Sequence, residues 1–268
     1  MTFASPHARN GDVRLAYEVL GAGEPLLLVH GLGYGGRGWG PSLELLARDF
    51  LVVAYDNRGF GASDIPPGPY TVAQLAADAA AVLDAAGFER AHVLGGSLGG
   101  MAAQELALTR PERVDRLVLV GTTPGGVGSY PMPGRTVRLW QEARRLPPAE
   151  ALRLFVENAL GAEPPPALVE EIVAYRMANP PDGAGWHAQA AAGASFAALE
   201  RVGRIAATTL VVHGTADAVV DPRNGQLLAR RIQGARLELY EGCGHLPFWE
   251  EPERFVELVR GFLRGERT

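Results

Sequence analysis

The chain has 268 residues, 47% of them hydrophobic and 21% charged, with a formal net charge of −5 at neutral pH. That length and balance suit one large α/β domain, or a domain with an inserted lobe, and the acidic charge argues against nucleic acid or an anionic membrane as the main partner. The single cysteine, Cys243, excludes an intrachain disulfide and Cys-x-x-Cys metal sites. Met1 to Gly11 holds no apolar core of signal-peptide length and no later run approaches transmembrane length, so a cytoplasmic protein is expected.

In chain order, Val13 to Leu20 alternates apolar and polar residues, as a half-exposed strand does, and Gly21 and Gly23 make a turn. Leu26 to Val29 is a continuous apolar run, the pattern of a strand covered on both faces, and ends in His30-Gly31-Leu32-Gly33. A short helix is expected from Pro41 to Leu46, then a strand over Leu51–Tyr55 that ends in the loop Asp56 to Ser63. Thr71 and Gln74 have capping-box spacing, Tyr70 and Leu75 that of a hydrophobic staple, and Val72, Leu75, Ala76, Ala79, Val82, Leu83 and Ala86 form one apolar stripe closed by Gly87. Ala91–Leu94 is the next strand, Leu98–Leu108 a helix and Leu117–Gly121 a strand. This alternation implies a mostly parallel sheet with helices on both faces.

The alternation stops near Thr122. Pro124 to Pro133 is rich in Gly and Pro, and the stretch from Arg135 to about Leu199 is helical in pattern and broken by prolines. The expected organisation is a core of residues 1–123 and 206–268 with a helical cap, 124–205, inserted between two strands. Strands return at Thr209–His213 and Leu237–Tyr240. Asp221 with Pro222 predicts a helix start, and a last amphipathic helix carries Phe255, Leu258, Val259, Phe262 and Leu263.

Ser97 lies between the Ala91 strand and the Leu98 helix in Gly95-Gly96-Ser97-Leu98-Gly99, the G-x-S-x-G pattern of a nucleophile elbow. A sharp strand-to-helix turn brings two backbones together, and glycines two residues either side remove the side chains that would collide. A serine hydroxyl is a poor nucleophile at neutral pH, so it needs a base, and the base needs an orienting acid. Asp217 and His245 each follow a strand end, giving the order Ser97, Asp217, His245 expected on such a scaffold. Asp221 is the rival acid, but a helix cap already accounts for it. Among the other histidines (His7, His30, His92, His187 and His213), His30 and His213 also end strands and read as turn residues. His245 is flanked by Gly242 and Gly244 on a loop free to reach over the sheet edge. An oxyanion needs two donors, and the backbone N–H groups of Leu32 and Leu98 are the candidates.

Together, His30-Gly31, Asp56-x-Arg58-Gly59-x-Gly61-x-Ser63, the Gly95–Gly99 elbow, His213-Gly214-x-x-Asp217 and Gly244-His245-x-Pro247 resemble the α/β-hydrolase superfamily over essentially the whole chain. Gly96 to Met101 and the Arg58–Tyr70 segment look most like 3-oxoadipate enol-lactonases and nearby esterases. The resemblance implies that Asp56, Arg58 and Ser63 support the pocket and that the inserted lobe roofs it. Aspartate-nucleophile branches such as haloalkane dehalogenases are excluded by Ser97. The expected activity is hydrolysis of a small carboxylic ester or lactone, with no metal or organic cofactor, by a monomer or homodimer. Two rival enzymes keep the same three residues: a C–C bond hydrolase and a cofactor-free perhydrolase or haloperoxidase. A ligand receptor without turnover is the rival from another class. Enol-lactonase activity would need a cation for the substrate carboxylate, and Arg135, Arg138, Arg144, Arg145, Arg153 and Arg176 are the inserted lobe's candidates.

Overall fold

A computed structural model describes residues 6–266, so residues 1–5 of the amino-terminal stretch read above lie outside the described part. Eight strands run β1 (His7–Asn10), β2 (Val13–Gly21), β3 (Glu24–Val29), β4 (Phe50–Tyr55), β5 (Ala91–Gly96), β6 (Val114–Val120), β7 (Thr208–Gly214) and β8 (Arg236–Tyr240). They form one sheet in the order β1-β2-β4-β3-β5-β6-β7-β8, in which β2 runs against both its neighbours and β4 through β8 are parallel. β1 has no apolar periodicity to announce it; it exists because Ala8 and its neighbours pair with β2 at the sheet edge.

The apolar runs explain the layers. Successive side chains on a strand point to opposite faces, so each run feeds two cores. Leu27, Val29, Val53, Val93, Leu117 and Val211 enter one cluster, with α2 (Val72–Ala85), α3 (Leu98–Thr109) and α8 (Arg223–Arg231). Leu26, Leu28, Val52, Leu94, Val118 and Val212 enter the other, with α1 (Pro41–Leu46) and α10 (Pro252–Leu263). Each fully buried aliphatic side chain contributes about 1.5–3 kcal/mol relative to exposure.

The capping box at the start of α2 is formed: Thr71 accepts from Gln74 N–H and Gln74 accepts from Thr71 N–H. The apolar stripe is buried as expected, apart from the half-buried Ala86. It also carries Asp78, fully buried, which that pattern does not reveal. Arg58 donates to Asp78 from Nε at 2.5 Å and from Nη2 at 2.6 Å, and Asn10 adds a third bond. A buried carboxylate needs such partners.

Between β6 and β7 the chain inserts four helices: α4 (Gly134–Ala143), α5 (Pro148–Ala159), α6 (Pro166–Ala178) and α7 (Gly183–Ser195). Pro148 and Pro166 occupy first-turn positions, where the missing N–H costs nothing. One expected boundary moves: α8 begins at Arg223, with Pro222 at the cap position. The Asp221 side chain instead accepts from Arg223 N–H at 3.0 Å just ahead of the helix. Among the described residues no helix is long and apolar enough to cross a membrane.

Candidate active site

Ser97 follows β5 and caps α3 with φ 53° and ψ −118°, and among the described residues it alone has a positive φ without being glycine. Such a conformation costs about 1–3 kcal/mol and persists only where surroundings enforce it. Here Ser97 N–H donates to Val120 O at 2.9 Å, and Ser97 O accepts from Thr122 Oγ1 at 2.7 Å. The glycines are obligatory as expected: a Cβ on Gly99 would lie 2.0 Å from Val29 O, and one on Gly95 would lie 2.6 Å from Gly99 O.

Asp217 follows β7 and is buried. Its Oδ1 accepts from the N–H groups of Val219 (2.8 Å) and Val220 (2.9 Å), which locks the loop. Its Oδ2 faces His245 Nδ1 at 2.7 Å and His213 Nε2 at 3.1 Å. Burial by itself would raise the carboxyl's pKa, but the two facing rings outweigh it and hold the group well below the usual carboxylate range. With Nδ1–H donating to Asp217, His245 keeps Nε2 as its acceptor. The ring packs over Gly121, where an added Cβ would sit 3.0 Å from Nδ1. Gly121 directly follows Val120, whose carbonyl holds Ser97 N–H, so Ser97 and His245 flank the same strand end. Asp221 is committed elsewhere, paired with Arg223 at 2.5 Å.

The loop after β3 closes against the serine: a Cβ on Gly31 would lie 3.0 Å from Ser97 Cβ and 3.5 Å from its Oγ. Gly31 N–H donates to His30 Nδ1 at 2.6 Å. His30 is buried among Tyr34, Trp39 and Phe248, and burial pushes its pKa down to about 3, so the ring is neutral and accepts that bond. This spends the Gly31 donor. Leu98 is the first residue of α3, so its N–H has no intrahelical acceptor.

The insertion reaches all of these loops. Gln189 on α7, fully buried, accepts from Gly33 N–H at 3.0 Å and donates to Arg58 O at 2.7 Å. Thr136 on α4 donates to Ala218 O, next to Asp217. His245 N–H donates to Ala159 O at 2.7 Å. Among the arginines of the insertion, Arg135, Arg138, Arg144 and Arg145 are exposed and Arg153 pairs with Glu170. Arg176 turns inward: its guanidinium lies 4.2 Å over Tyr34, its Nε is buried without a partner, and Nη2 is 3.7 Å from where a Gly33 Cβ would be. Sequence reasoning left the choice among these arginines open and took His213 for a turn residue only. The spacing His213-x-x-x-Asp217 carried the second signal.

The family model for the alpha/beta hydrolase fold matches residues 24–252. The chain belongs to the α/β-hydrolase family. This hydrolase is similar over 96% of its length, and 97% of the relative's, to the protein named "Putative carbamate hydrolase RutD" of Azorhizobium caulinodans, at 34% identity. It is 32% identical to the 2-hydroxy-6-oxo-6-phenylhexa-2,4-dienoate hydrolase of Comamonas testosteroni, covering 94% and 92% of the two chains. The solved enol-lactonase of Burkholderia xenovorans LB400 superposes with a TM-score of 0.83 at 27% identity, over 97% of this chain and all of that one. A hydrolytic enzyme of this family is the activity these relatives support.

Proposed function

We propose that this hydrolase cleaves a small carboxylic ester or lactone through an acyl-enzyme on Ser97. The observation that carries the reading is the 2.7 Å bond from His245 Nδ1 to Asp217 Oδ2 beside an elbow serine held at positive φ. Ser97 Oγ attacks the carbonyl carbon while His245 Nε2 takes its proton, and Asp217 stabilises the imidazolium. The N–H groups of Leu32 and Leu98 receive the oxyanion. His245 then protonates the leaving alkoxide, which departs as the alcohol or, for a lactone, stays attached as a hydroxyl. It next takes a proton from water, whose attack releases the acid and restores Ser97.

The insertion acts as the cap of the acyl pocket. Arg176, inward and without a carboxylate partner among the described residues, favours a substrate that carries its own carboxylate, as an enol-lactone acid does. The same cation suits the acidic dienoate that names the Comamonas relative's substrate, so C–C hydrolysis is the second reading. The test is a panel of p-nitrophenyl esters of increasing acyl length, an enol-lactone acid and a vinylogous diketone acid, with Ser97→Ala alongside. Ser97-dependent turnover of esters or the lactone is expected. Turnover of the diketone acid alone would replace the reading with the second one.

A further inference from the structure

One half-buried carboxylate outside the three residues just described joins the insertion to the His245 loop. Glu250 ends the short helix α9 (Pro247–Glu250) that follows His245. Its Oε1 accepts from Gly244 N–H at 2.9 Å, and its Oε2 accepts from Gly161 N–H at 2.8 Å, just past the end of α5. Between these two bonds His245 N–H donates to Ala159 O at 2.7 Å. The backbones are in direct contact: a Cβ on Gly161 would lie 2.4 Å from Gly242 O, and one on Gly244 would lie 2.4 Å from the Leu160 carbonyl carbon. The residue carrying the ring of His245 is thus held between segment 159–161 of the insertion and the Glu250 carboxylate.

We propose that Glu250 is a positioning residue, which aligns His245 by binding the His245 loop and segment 159–161 at once, so that seating of the insertion and readiness of the base are one event. The proposal rests on the reading of His245 as the general base. A carboxylate suits the task because each of its two oxygens accepts an N–H, whereas an amide offers one acceptor and would set its NH2 against the other N–H. Burial raises the pKa of Glu250, opposed by the backbone N–H donors of Gly161, Gly244 and Leu246, with the Asp217 carboxylate adding to the rise. The other titratable groups around it are His245, Cys243, Glu241 and Glu251 from its own side and Glu163 from the insertion; Arg254 is taken up by Glu251 at 2.9 Å. Protonated Glu250 resembles glutamine, so acid should weaken the same paired acceptance that Glu250→Gln disrupts.

The test compares wild type with E250Q in kcat and KM from pH 5 to pH 8, far below either protein's melting temperature, with Ser97→Ala beside them. The expected result at pH 8 is a fall in kcat of about 10- to 100-fold with KM within about threefold, and a wild-type advantage that shrinks toward acid pH. Unchanged kcat in folded E250Q, a change in KM alone, or a deficit constant with pH would overturn the proposal. Hydrogen exchange on wild type, corrected for intrinsic rates, decides independently of turnover and of whether E250Q folds. Peptides spanning 157–163 and 242–248 should lose protection together as pH falls, and independent loss overturns the coupling. Absence of Ser97-dependent turnover would count against the function proposed above and leave the exchange result to judge Glu250.

Discussion

The sheet and the inserted helices solve different problems with different means. In the sheet, apolar side chains alternate between two buried clusters, and close backbone contacts leave almost no freedom at the strand ends that carry Ser97, Asp217 and His245. The insertion is buried unevenly: α4 covers only Thr136 and Ala143, and α6 only Val169 and Ile172, while α7 adds Ala188 and Ala192 to one cluster. Beside that apolar packing it makes a handful of polar ties, from Gln189, Thr136, Ala159 O and Gly161 N–H, to the segments around the candidate site. Packing builds the platform, whereas packing and sparse hydrogen bonds together set how the insertion meets it.

Substitutions can break that contrast, beginning with the largest expected effect. Ser97→Ala should cut kcat/KM for a p-nitrophenyl ester by about 10⁵- to 10⁶-fold with an unchanged circular dichroism spectrum. Asp217→Asn should cost about 10⁴-fold, because the ring of His245 loses its orienting acceptor, while Asp221→Asn, whose carboxylate serves Arg223, should stay within about threefold of wild type. If Asp221→Asn proves the inactive one, the acid assignment is wrong. In the platform, Gly99→Ala should destabilise by about 3 kcal/mol or more, read from the denaturant midpoint, since its Cβ meets a backbone carbonyl at 2.0 Å. At the start of α7, Gly183→Ala meets nothing within 4 Å and should be neutral or stabilising by up to about 1 kcal/mol. Equal costs at the two glycines would remove the distinction between the regions.

Two smaller effects sharpen it. Arg176→Gln should raise KM about 10- to 100-fold for an ester bearing a carboxylate, the worth of a charge-assisted hydrogen bond, and leave a neutral ester within about threefold. The low pKa of Asp217 also makes a pH statement about the platform. A carboxyl depressed on folding contributes stability above its unfolded value of about 4 and loses it as pH falls through the folded value. Wild type should therefore lose stability below about pH 4 with a steeper slope than Asp217→Asn, measured by urea unfolding at successive pH values.

Much of the platform was legible in the residue order. Continuous runs such as Leu26–Val29 and Leu117–Val120 announce strands covered on both faces, and Thr71 with Gln74 marks the start of α2. The glycines of the elbow mark a turn that a Cβ would block. β1 was not legible, because four residues at an edge draw their order from pairing with β2. Asp78 was hidden because a buried charge inside an apolar stripe makes sense only when its partner, twenty residues away, is known. Arg176 could not be told from its fellow arginines, since helical periodicity in α6, which buries only Val169 and Ile172, does not say which side faces Tyr34.

The sequence by itself determined the alternation of strands and helices, the place of the elbow, and the chain order of Ser97, Asp217 and His245, because those depend on local sterics and on periodicity within a few residues. Only the tertiary structure decided which groups meet across long separations. It put two histidines on one oxygen of Asp217, a glutamine of the insertion on Gly33, and one carboxylate between Gly161 and Gly244. Hydrogen-bond partners far apart in the chain are chosen by how the layers pack, and no local pattern encodes that choice.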